Sequence, residues 1–351
     1  MKFFNDFSKF SKGFGECITT IDSHTEGEAT RLIVNGIGNI KGKTMMDKLE
    51  WFKSRYDHVR CLLTKEPRGS KEILVAMMTQ NVTKNAKFGL IYMDAKRYPY
   101  LCGHATIGAV ATLARTGFLK LDQGENCVIV DTPSGPMDAS VLVQEDKLTA
   151  IAINMVPTFI YSTGQQIEIK DFGTIKVDIV CTGGFFAMVD SHEVGIEPVL
   201  KNKDVLTDLG MKIIDAANEQ LIVSHPVRLD VKTIDVTEFY DSQHENGKAF
   251  GRGMVIYGES HADRSPCGTG TAAKLTLLHH YGKIKMHQKY INYSPLGTSF
   301  DAMLVKKEKV GSDSIDGLDG FIVQIKGMAY LSGVHHFIVE DNDPFQQGFI
   351  M

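Results

Sequence analysis

The sequence predicts a mixed α and β protein whose chain repeats one structural plan twice. Its 351 residues exceed what a single hydrophobic core usually supports, so two domains are expected. Hydrophobic residues make up 43% of the chain and charged residues 23%, a balance typical of globular proteins. Short runs of β-branched and aromatic residues alternate with turn residues, and a cysteine-glycine motif occurs twice with similar flanks.

Strands are predicted where β-branched and aromatic residues cluster, because these side chains fit a pleated, half-buried surface. The predicted strands are residues 32–36, 89–93, 127–131, 177–181, 254–257 and 337–339. Two helices are predicted at residues 106–116 and 271–281, where small and apolar residues precede Gly117 and Gly282 as helix stops. Each predicted helix follows a Cys-Gly turn.

The internal repeat is the most informative feature of the sequence. Cys102-Gly103-His104-Ala105-Thr106 and Cys267-Gly268-Thr269-Gly270-Thr271 agree at the cysteine, the glycine and the final threonine. Their flanks also agree, at one offset of about 165 residues. A duplicated unit predicts a pseudo-twofold arrangement with the two cysteines facing each other across a cleft. The alternative is that Cys-Gly suits a buried turn, since free cysteine often behaves as a small hydrophobe.

A cysteine at the first turn of a helix is a candidate catalytic base. The helix dipole and nearby amide groups favour the thiolate, so we expect the pKa of both thiols to fall from about 8.5 toward neutrality. The amides beside Gly103 and Gly268 are expected to bind a substrate carboxylate. One thiolate and one opposed thiol suit the racemisation of an amino acid, and two helix N-termini would stabilise the carbanion. This chemistry requires neither pyridoxal phosphate nor a metal.

Composition indicates which kinds of partner the protein binds and in which cellular compartment it is expected. A formal net charge of -4 lacks the basic footprint of nucleic-acid binding, so a small-molecule partner is expected. Residues 1–10 are interrupted by charge, unlike a signal peptide, and no stretch reaches the roughly 18 unbroken apolar residues of a membrane helix. Six widely spaced cysteines indicate reduced thiols and a cytoplasmic location. Zinc binding is disfavoured, because no Cys-x-x-Cys spacing occurs.

At these residues the sequence resembles the proline racemase family. The resemblance lies in Leu101-Cys102-Gly103-His104 and in residues 263–271, Asp-Arg-Ser-Pro-Cys-Gly-Thr-Gly-Thr. It implies an α+β fold like that of diaminopimelate epimerase, with two pseudo-symmetric domains. Each would be a mostly antiparallel β-sheet or barrel around a central helix, with the active site in the interdomain cleft. The implied domains are residues 15–156 plus 324–351, carrying Cys102, and residues 157–323, carrying Cys267.

The resemblance also implies roles for individual residues. Cys102 and Cys267 would be the acid/base pair, and Asp263 would take the substrate nitrogen, with His104 adjoining it. The carboxylate would be bound by the backbone of four residues: Gly103, His104, Gly268 and Thr269. No cofactor and no metal are implied. The implied partners are a small imino acid, proline or hydroxyproline, and a second copy of the chain in a homodimer.

The choice of substrate depends on residues expected to line the pocket. Members of the family that dehydrate 3-hydroxyproline resemble this chain but replace one cysteine, so two cysteines favour racemisation or epimerisation. Proline racemases tend to line the pocket with phenylalanines, and Leu74, Tyr92 and Tyr257 stand at the corresponding places here. A tyrosine hydroxyl could meet the 4-hydroxyl of hydroxyproline or bond within the protein. The expected function is interconversion of L- and D-proline. The first alternative is epimerisation of 4-hydroxyproline at C2. The further alternatives are dehydration of 3-hydroxyproline and ligand binding without catalysis.

Overall fold

The structure, a computed structural model, describes residues 17–311 and 317–351. The N-terminal segment considered above, residues 1–10, lies outside the described residues. The strands of the first half are β1 (Cys17–Thr25), β2 (Glu28–Asn35), β3 (Leu74–Thr79), β4 (Phe88–Met93), β5 (Gly124–Thr132), β6 (Gly135–Gln144) and β7 (Lys147–Asn154). The remaining strands are β8 (Thr158–Ile169), β9 (Gly173–Cys181), β10 (Phe185–Asp190), β11 (Ile234–Tyr240), β12 (Gln243–Glu245), β13 (Lys248–Tyr257), β14 (His261–Ala262), β15 (Tyr290–Tyr293), β16 (Ser299–Val310), β17 (Leu318–Gly327) and β18 (Ala329–Ile338).

Within the described residues, five α-helices lie between these strands. They are α1 (Met45–Thr64), α2 (Gly103–Arg115), α3 (Ser191–Val194), α4 (Lys203–Gln220) and α5 (Gly268–His280). The helices α2 and α5 are both 13 residues long and begin immediately after Cys102 and Cys267. Among the described residues, no helix is both long and apolar enough to cross a membrane.

The strand pairing of the first half is repeated in the second. In the first half β2 pairs in parallel with β3, β3 antiparallel with β4, β4 in parallel with β5 and β5 antiparallel with β6. In the second half β10 and β11, β11 and β13, β13 and β15, and β15 and β16 pair with the same sequence of directions. Parallel neighbours need crossover connections, which contain α1 and α2 in one half and α4 and α5 in the other. The predicted duplication is confirmed.

Each half wraps its strands around one central helix. In the second half β8, β9, β10, β11, β13, β15, β16 and β17 form a closed ring, because β17 pairs back onto β8. The helix α5 packs inside this barrel, and α2 packs in the same way against β1, β2, β3, β7 and β18. Both helices are buried along nearly their whole length, which explains why they are apolar on every side. The predicted α+β class and two pseudo-symmetric halves are confirmed.

The C-terminal segment returns to the first half. The strand β18 pairs antiparallel with β1, and an isolated bridge joins Glu66 to Phe349. The strand β17 pairs with β7 as well as with β8, so it belongs to the sheets of both halves. The division into residues 15–156 plus 324–351 and residues 157–323 stays a prediction.

The element predictions succeed where the periodicity is strong. Both predicted helices are confirmed and begin three residues before the predicted starts. The six predicted strands overlap β2, β4, β5, β9, β13 and β18, although those at 32–36 and 337–339 each extend one residue too far. The helices α1 and α4 were not predicted. A signal for α1 was present, since Thr44 and Asp47 form a capping box at its start. The buried residues of α4 follow a helical spacing through Leu206, Leu209 and Ile213.

Candidate active site

The N-termini of α2 and α5 meet at two glycines. A Cβ atom built on Gly103 would lie 3.1 Å from the Cα of Gly268, and the reverse distance is also 3.1 Å. Real Cβ atoms rarely approach other atoms so closely, so a side chain at either position would push the helices apart. The residues that precede these glycines, Cys102 and Cys267, therefore flank one point of contact.

One cavity of about 790 Å³ opens onto this contact and takes residues from both halves. It is lined by all the predicted site residues except Tyr92: Leu74, Cys102, Gly103, His104, Tyr257, Asp263, Cys267, Gly268 and Thr269. Both cysteines are free thiols, with 7% of Cys102 and 6% of Cys267 exposed. The two cysteine residues are thus nearly equally buried.

Cys102 is an extended residue beside an imidazole. Its φ is -149°, and its Sγ lies 3.3 Å from Nδ1 of His104. The hydroxyl of Thr25 donates to the His104 carbonyl at 2.8 Å, which fixes the first turn of α2.

Among the described residues, no group of three or more His, Cys, Asp or Glu side chains is placed to hold a metal ion.

Cys267 has a different backbone and different neighbours. Its φ is +57°, in the left-handed region, which costs a residue with a side chain about 1–3 kcal/mol. Its Sγ accepts a hydrogen bond from the Gly270 amide at 3.4 Å and lies 3.3 Å from Oγ1 of Thr269. The Cys267 amide donates to Oγ of Ser265 at 3.0 Å, and this bond stabilises the turn.

The expected lowering of the thiol pKa values is wrong for the ligand-free protein. Burial raises the pKa of Cys102 and of Cys267 well above the usual value, and the charge of Asp263 raises both further. Hydrogen bonds from backbone amides at the helix starts lower the two pKa values but do not outweigh burial. The sequence motif indicated the helix dipole correctly, but the burial that overrides it depends on the folded barrels.

Asp263 places a carboxylate on the same cavity. Its Oδ1 accepts hydrogen bonds from the amide and the hydroxyl of Ser265, both at 2.8 Å, while Oδ2 has no partner among the described residues. Burial and the charge of Glu28 raise the pKa of Asp263, and His104 opposes this shift. The arrangement leaves one carboxylate oxygen available for a cationic group.

A buried network that the sequence analysis missed connects the two halves behind this site. Glu28, on β2, is fully buried, and its Oε1 accepts a hydrogen bond from Nε2 of His261 at 2.8 Å. Its Oε2 accepts from the Arg264 amide at 2.8 Å and from Nε at 3.0 Å. Burial opposes ionisation, but the charge and hydrogen bond of His261, with Arg264, lower the pKa of Glu28 to about 2. The only local signal was that Glu28 comes shortly before the predicted strand at residues 32–36, which does not reveal its distant partners.

The two candidate tyrosines occupy equivalent strands but different environments. Tyr92 is fully buried on β4, and its hydroxyl is 2.7 Å from Oγ1 of Thr106, inside the first half. It is not among the residues that line the cavity, because Thr106 satisfies its polar atom within the core. Tyr257 lies at the end of β13 and lines the cavity, with its ring edge-on to His261 at 4.9 Å between centroids.

A duplicated barrel with one cavity between its halves, together with its relatives, identifies the protein as an isomerase of the racemase and epimerase class. The chain belongs to the proline racemase family, whose model matches residues 20–350. It is 37% identical to a proline racemase of Clostridioides difficile, over 96% of this chain and 99% of that protein. It is 32% identical to a 4-hydroxyproline 2-epimerase of Streptosporangium roseum, over 94% of this chain and 97% of that protein. The crystal structure of a hydroxyproline epimerase from Agrobacterium vitis, with bound trans-4-hydroxy-L-proline, superposes with a TM-score of 0.89 at 25% identity, covering 96% of each chain.

Proposed function

We propose that the protein interconverts L- and D-proline with Cys102 and Cys267 as its acid/base pair. One observation carries the proposal: the contact between Gly103 and Gly268 places a cysteine from each half on one shared cavity. A substrate carbon between two such thiols would lose its proton on one face and regain one on the other. The 37% identity to a proline racemase over nearly the whole chain supports proline as the substrate.

The helix starts supply the carboxylate site of this proposal. The first amide groups of any helix lack partners within the helix, and the positive ends of two helix dipoles converge here. A substrate carboxylate is expected on the amides of Gly103 and His104 from α2 and of Gly268 and Thr269 from α5. As the α-proton leaves, negative charge spreads onto this carboxylate, so the same amides stabilise the carbanion.

The proton balance needs only the two sulfur atoms. The thiolate of one cysteine takes the α-proton and becomes a thiol, while the electron pair of the C–H bond moves toward the carboxylate. The opposite thiol then gives its proton to the other face and becomes the thiolate. The two cysteines have exchanged protonation states, and the next turnover in the reverse direction, or exchange with solvent, restores them. No cofactor enters this scheme.

Asp263 provides a reason for the thiols to ionise when substrate binds. Its charge raises the pKa of both cysteines in the ligand-free protein. A protonated substrate nitrogen at Oδ2 of Asp263 would offset that charge, and the pKa of both thiols would then fall. Binding of the correct substrate would therefore help to generate the base that attacks it.

Proton exchange in deuterated water tests the proposal. L-proline and D-proline are each incubated with the protein, and loss of the α-proton signal is followed by NMR together with optical rotation. We expect deuterium at the α-carbon and decay of rotation to zero from either enantiomer. Failure of both proline enantiomers to exchange would reject proline as the substrate.

Epimerisation of 4-hydroxyproline at C2 is the second candidate. Tyr257 favours it, because the side chain lines the cavity and its hydroxyl has no hydrogen-bond partner among the described residues. The similarity to a hydroxyproline epimerase with bound trans-4-hydroxy-L-proline supports the same candidate. The two candidates are compared by measuring kcat/KM for proline and for trans-4-hydroxy-L-proline in the same exchange assay. A homodimer and a cytoplasmic location stay predictions, the first to be tested by sedimentation.

A further inference from the structure

The two halves differ chemically behind their cysteines. Seven residues after Cys102, α2 carries Ala109, whereas α5 carries Lys274 seven residues after Cys267. The register of β3 on β4 and of β11 on β13 likewise makes Met78 the counterpart of Glu238. An apolar pair in the first half is thus replaced by a charged pair in the second.

Glu238 and Lys274 form an unequal buried pair. Neither side chain is exposed, and Oε1 of Glu238 lies 3.9 Å from Nζ of Lys274, beyond hydrogen-bond distance. Lys274 donates instead to the Arg252 carbonyl at 2.9 Å and to Oδ1 of Asn292 at 2.6 Å. Neither carboxylate oxygen of Glu238 has a hydrogen-bond partner among the described residues. The ammonium group of Lys274 is therefore hydrogen-bonded within the protein, whereas the carboxylate of Glu238 is not.

The unsatisfied carboxylate lies directly behind the turn that holds Cys267. A Cβ atom on Gly270 would be only 2.6 Å from Oε2 of Glu238, so this glycine provides the space for the carboxylate. The amide of the same Gly270 donates to Sγ of Cys267. On the other side of the cavity, Ala105 stands at the place of Gly270, and Cys102 has the imidazole of His104 beside it.

We propose that Glu238 makes the two thiols unequal, so that in the ligand-free protein Cys102 ionises first and Cys267 keeps its proton. The inference rests on the proposed function, because it concerns the same pair of cysteines. Burial raises the pKa of Glu238 to about 7, so its carboxylate is mainly charged above that pH. A buried negative charge disfavours a second one nearby, whereas an adjacent imidazole stabilises a thiolate. Asp263 acts on both cysteines in the same direction, since its charge raises the pKa of each.

The other charged groups around the pair do not cancel this difference. Glu28 also raises the pKa of Cys102. Its charge is offset by the guanidinium of Arg264 at 3.0 Å and by His261, whose pKa is raised, at 2.8 Å. No comparable donor reaches Glu238 within the described chain. Glu238 is therefore a positioning residue that acts through the proton of Cys267. The enantiomer whose α-proton faces Cys102 would therefore meet the thiol that ionises more readily.

Competitive alkylation of the two cysteines tests the inference without requiring turnover. The ligand-free protein is treated with limiting iodoacetamide, and the labelled peptides of Cys102 and Cys267 are quantified by mass spectrometry. We expect Cys102 to react on the order of tenfold faster, the effect of one pKa unit. In Glu238→Gln the ratio should fall toward one, whereas Glu245→Gln, on the exposed strand β12, should leave it unchanged. The same ratio in Glu238→Gln as in the unmodified protein would overturn the inference.

A double variant covers the risk that Glu238→Gln does not fold, because it leaves the Lys274 charge buried and unpaired. Glu238→Met combined with Lys274→Ala reproduces the apolar pair of the first half and should also bring the ratio toward one. A retained preference for Cys102 in this variant would overturn the inference. A Glu238-dependent preference in a protein that exchanges no imino-acid proton would reject the proposed function alone. Equal labelling in a protein that racemises proline would reject this inference alone.

Discussion

The two helix starts at the centre of the molecule show how a duplicated fold can keep a position while changing its surroundings. Cys102 and Cys267 each precede a 13-residue helix and line the same cavity. Cys102 is extended and lies beside an imidazole, whereas Cys267 has a φ of +57° and lies beside a hydroxyl. The pairing of strands preserves the location of each sulfur, and the residues that follow determine its chemistry. Two cysteines at equivalent positions can therefore have different neighbouring groups.

The largest expected effect comes from removing either sulfur. Cys102→Ser and Cys267→Ser should each lower the racemisation rate by about 10² to 10⁴, the usual contribution of a general acid or base. Both variants should lose activity in both directions, because each turnover uses one residue as base and the other as acid. Optical rotation with L-proline and with D-proline measures this. Near-normal turnover in either variant would exclude a mechanism with two thiols.

Asp263→Asn should affect both cysteines at once. Removing the charge takes away one cause that raises the pKa of Cys102 and of Cys267, so both pKa values should fall. The pH dependence of iodoacetamide labelling should therefore move to lower pH for both cysteines, in contrast to the one-sided effect of Glu238→Gln. The KM for proline should rise, since the substrate nitrogen loses its partner. Labelling curves that move for only one cysteine would contradict the shared position of Asp263.

The connection between the halves should be sensitive to acid. The folded-state pKa of Glu28 is lowered from 4.5 to about 2, so its stabilisation is complete above pH 4.5 and is lost as the pH falls toward 2. His261 has a raised pKa, so its part of the pair is present below its unfolded value of 6.5 and is lost as the pH rises through the folded value. Glu28→Gln should cost about 3 kcal/mol of unfolding free energy at pH 6.

Urea titrations at several pH values measure this contribution. The unmodified protein should lose unfolding free energy between pH 4.5 and pH 2 more steeply than Glu28→Gln. Asp319, on the exposed part of β17, offers a control at the surface, and Asp319→Asn should leave the stability nearly unchanged because water screens its ion pairs. Identical pH profiles for Glu28→Gln and the unmodified protein would show that Glu28 does not contribute to acid sensitivity.

The smallest effects are expected from the two tyrosines. Tyr92→Phe removes an internal hydrogen bond to Thr106 and should cost about 1 kcal/mol of stability without changing substrate preference. Tyr257→Phe should leave stability nearly unchanged and lower kcat/KM for 4-hydroxyproline relative to proline if the second candidate function is correct. Thermal melting and the ratio of kcat/KM values separate the two roles. An unchanged ratio in Tyr257→Phe would remove the main structural reason for hydroxyproline.

The sequence predicted the features that occur in both halves of the repeat. It did not predict contacts that occur once, between residues distant in the chain. Both central helices and the shared cavity follow from the matching motifs around Cys102 and Cys267. The network of Glu28 with His261 joins residues that are distant in the chain, and nothing local marks either residue as a partner. The thiol pKa values were expected to fall, because a motif reveals a helix start but not the burial that closes over it. Tyr92 and Tyr257 look alike in the sequence. They differ in the structure because Thr106 bonds to Tyr92, whereas its counterpart Thr271 accepts from Asn292.

The glycine pair also determines how the distance between the two sulfur atoms is maintained. Two bare backbones in van der Waals contact form the shortest spacer that polypeptide can provide, and it contains no rotatable side chain. The separation of the two helix starts, and of the cysteines that precede them, therefore does not depend on any side-chain rotamer. Two glycines, the smallest residues available, thus set how closely the two halves approach each other beside the shared cavity.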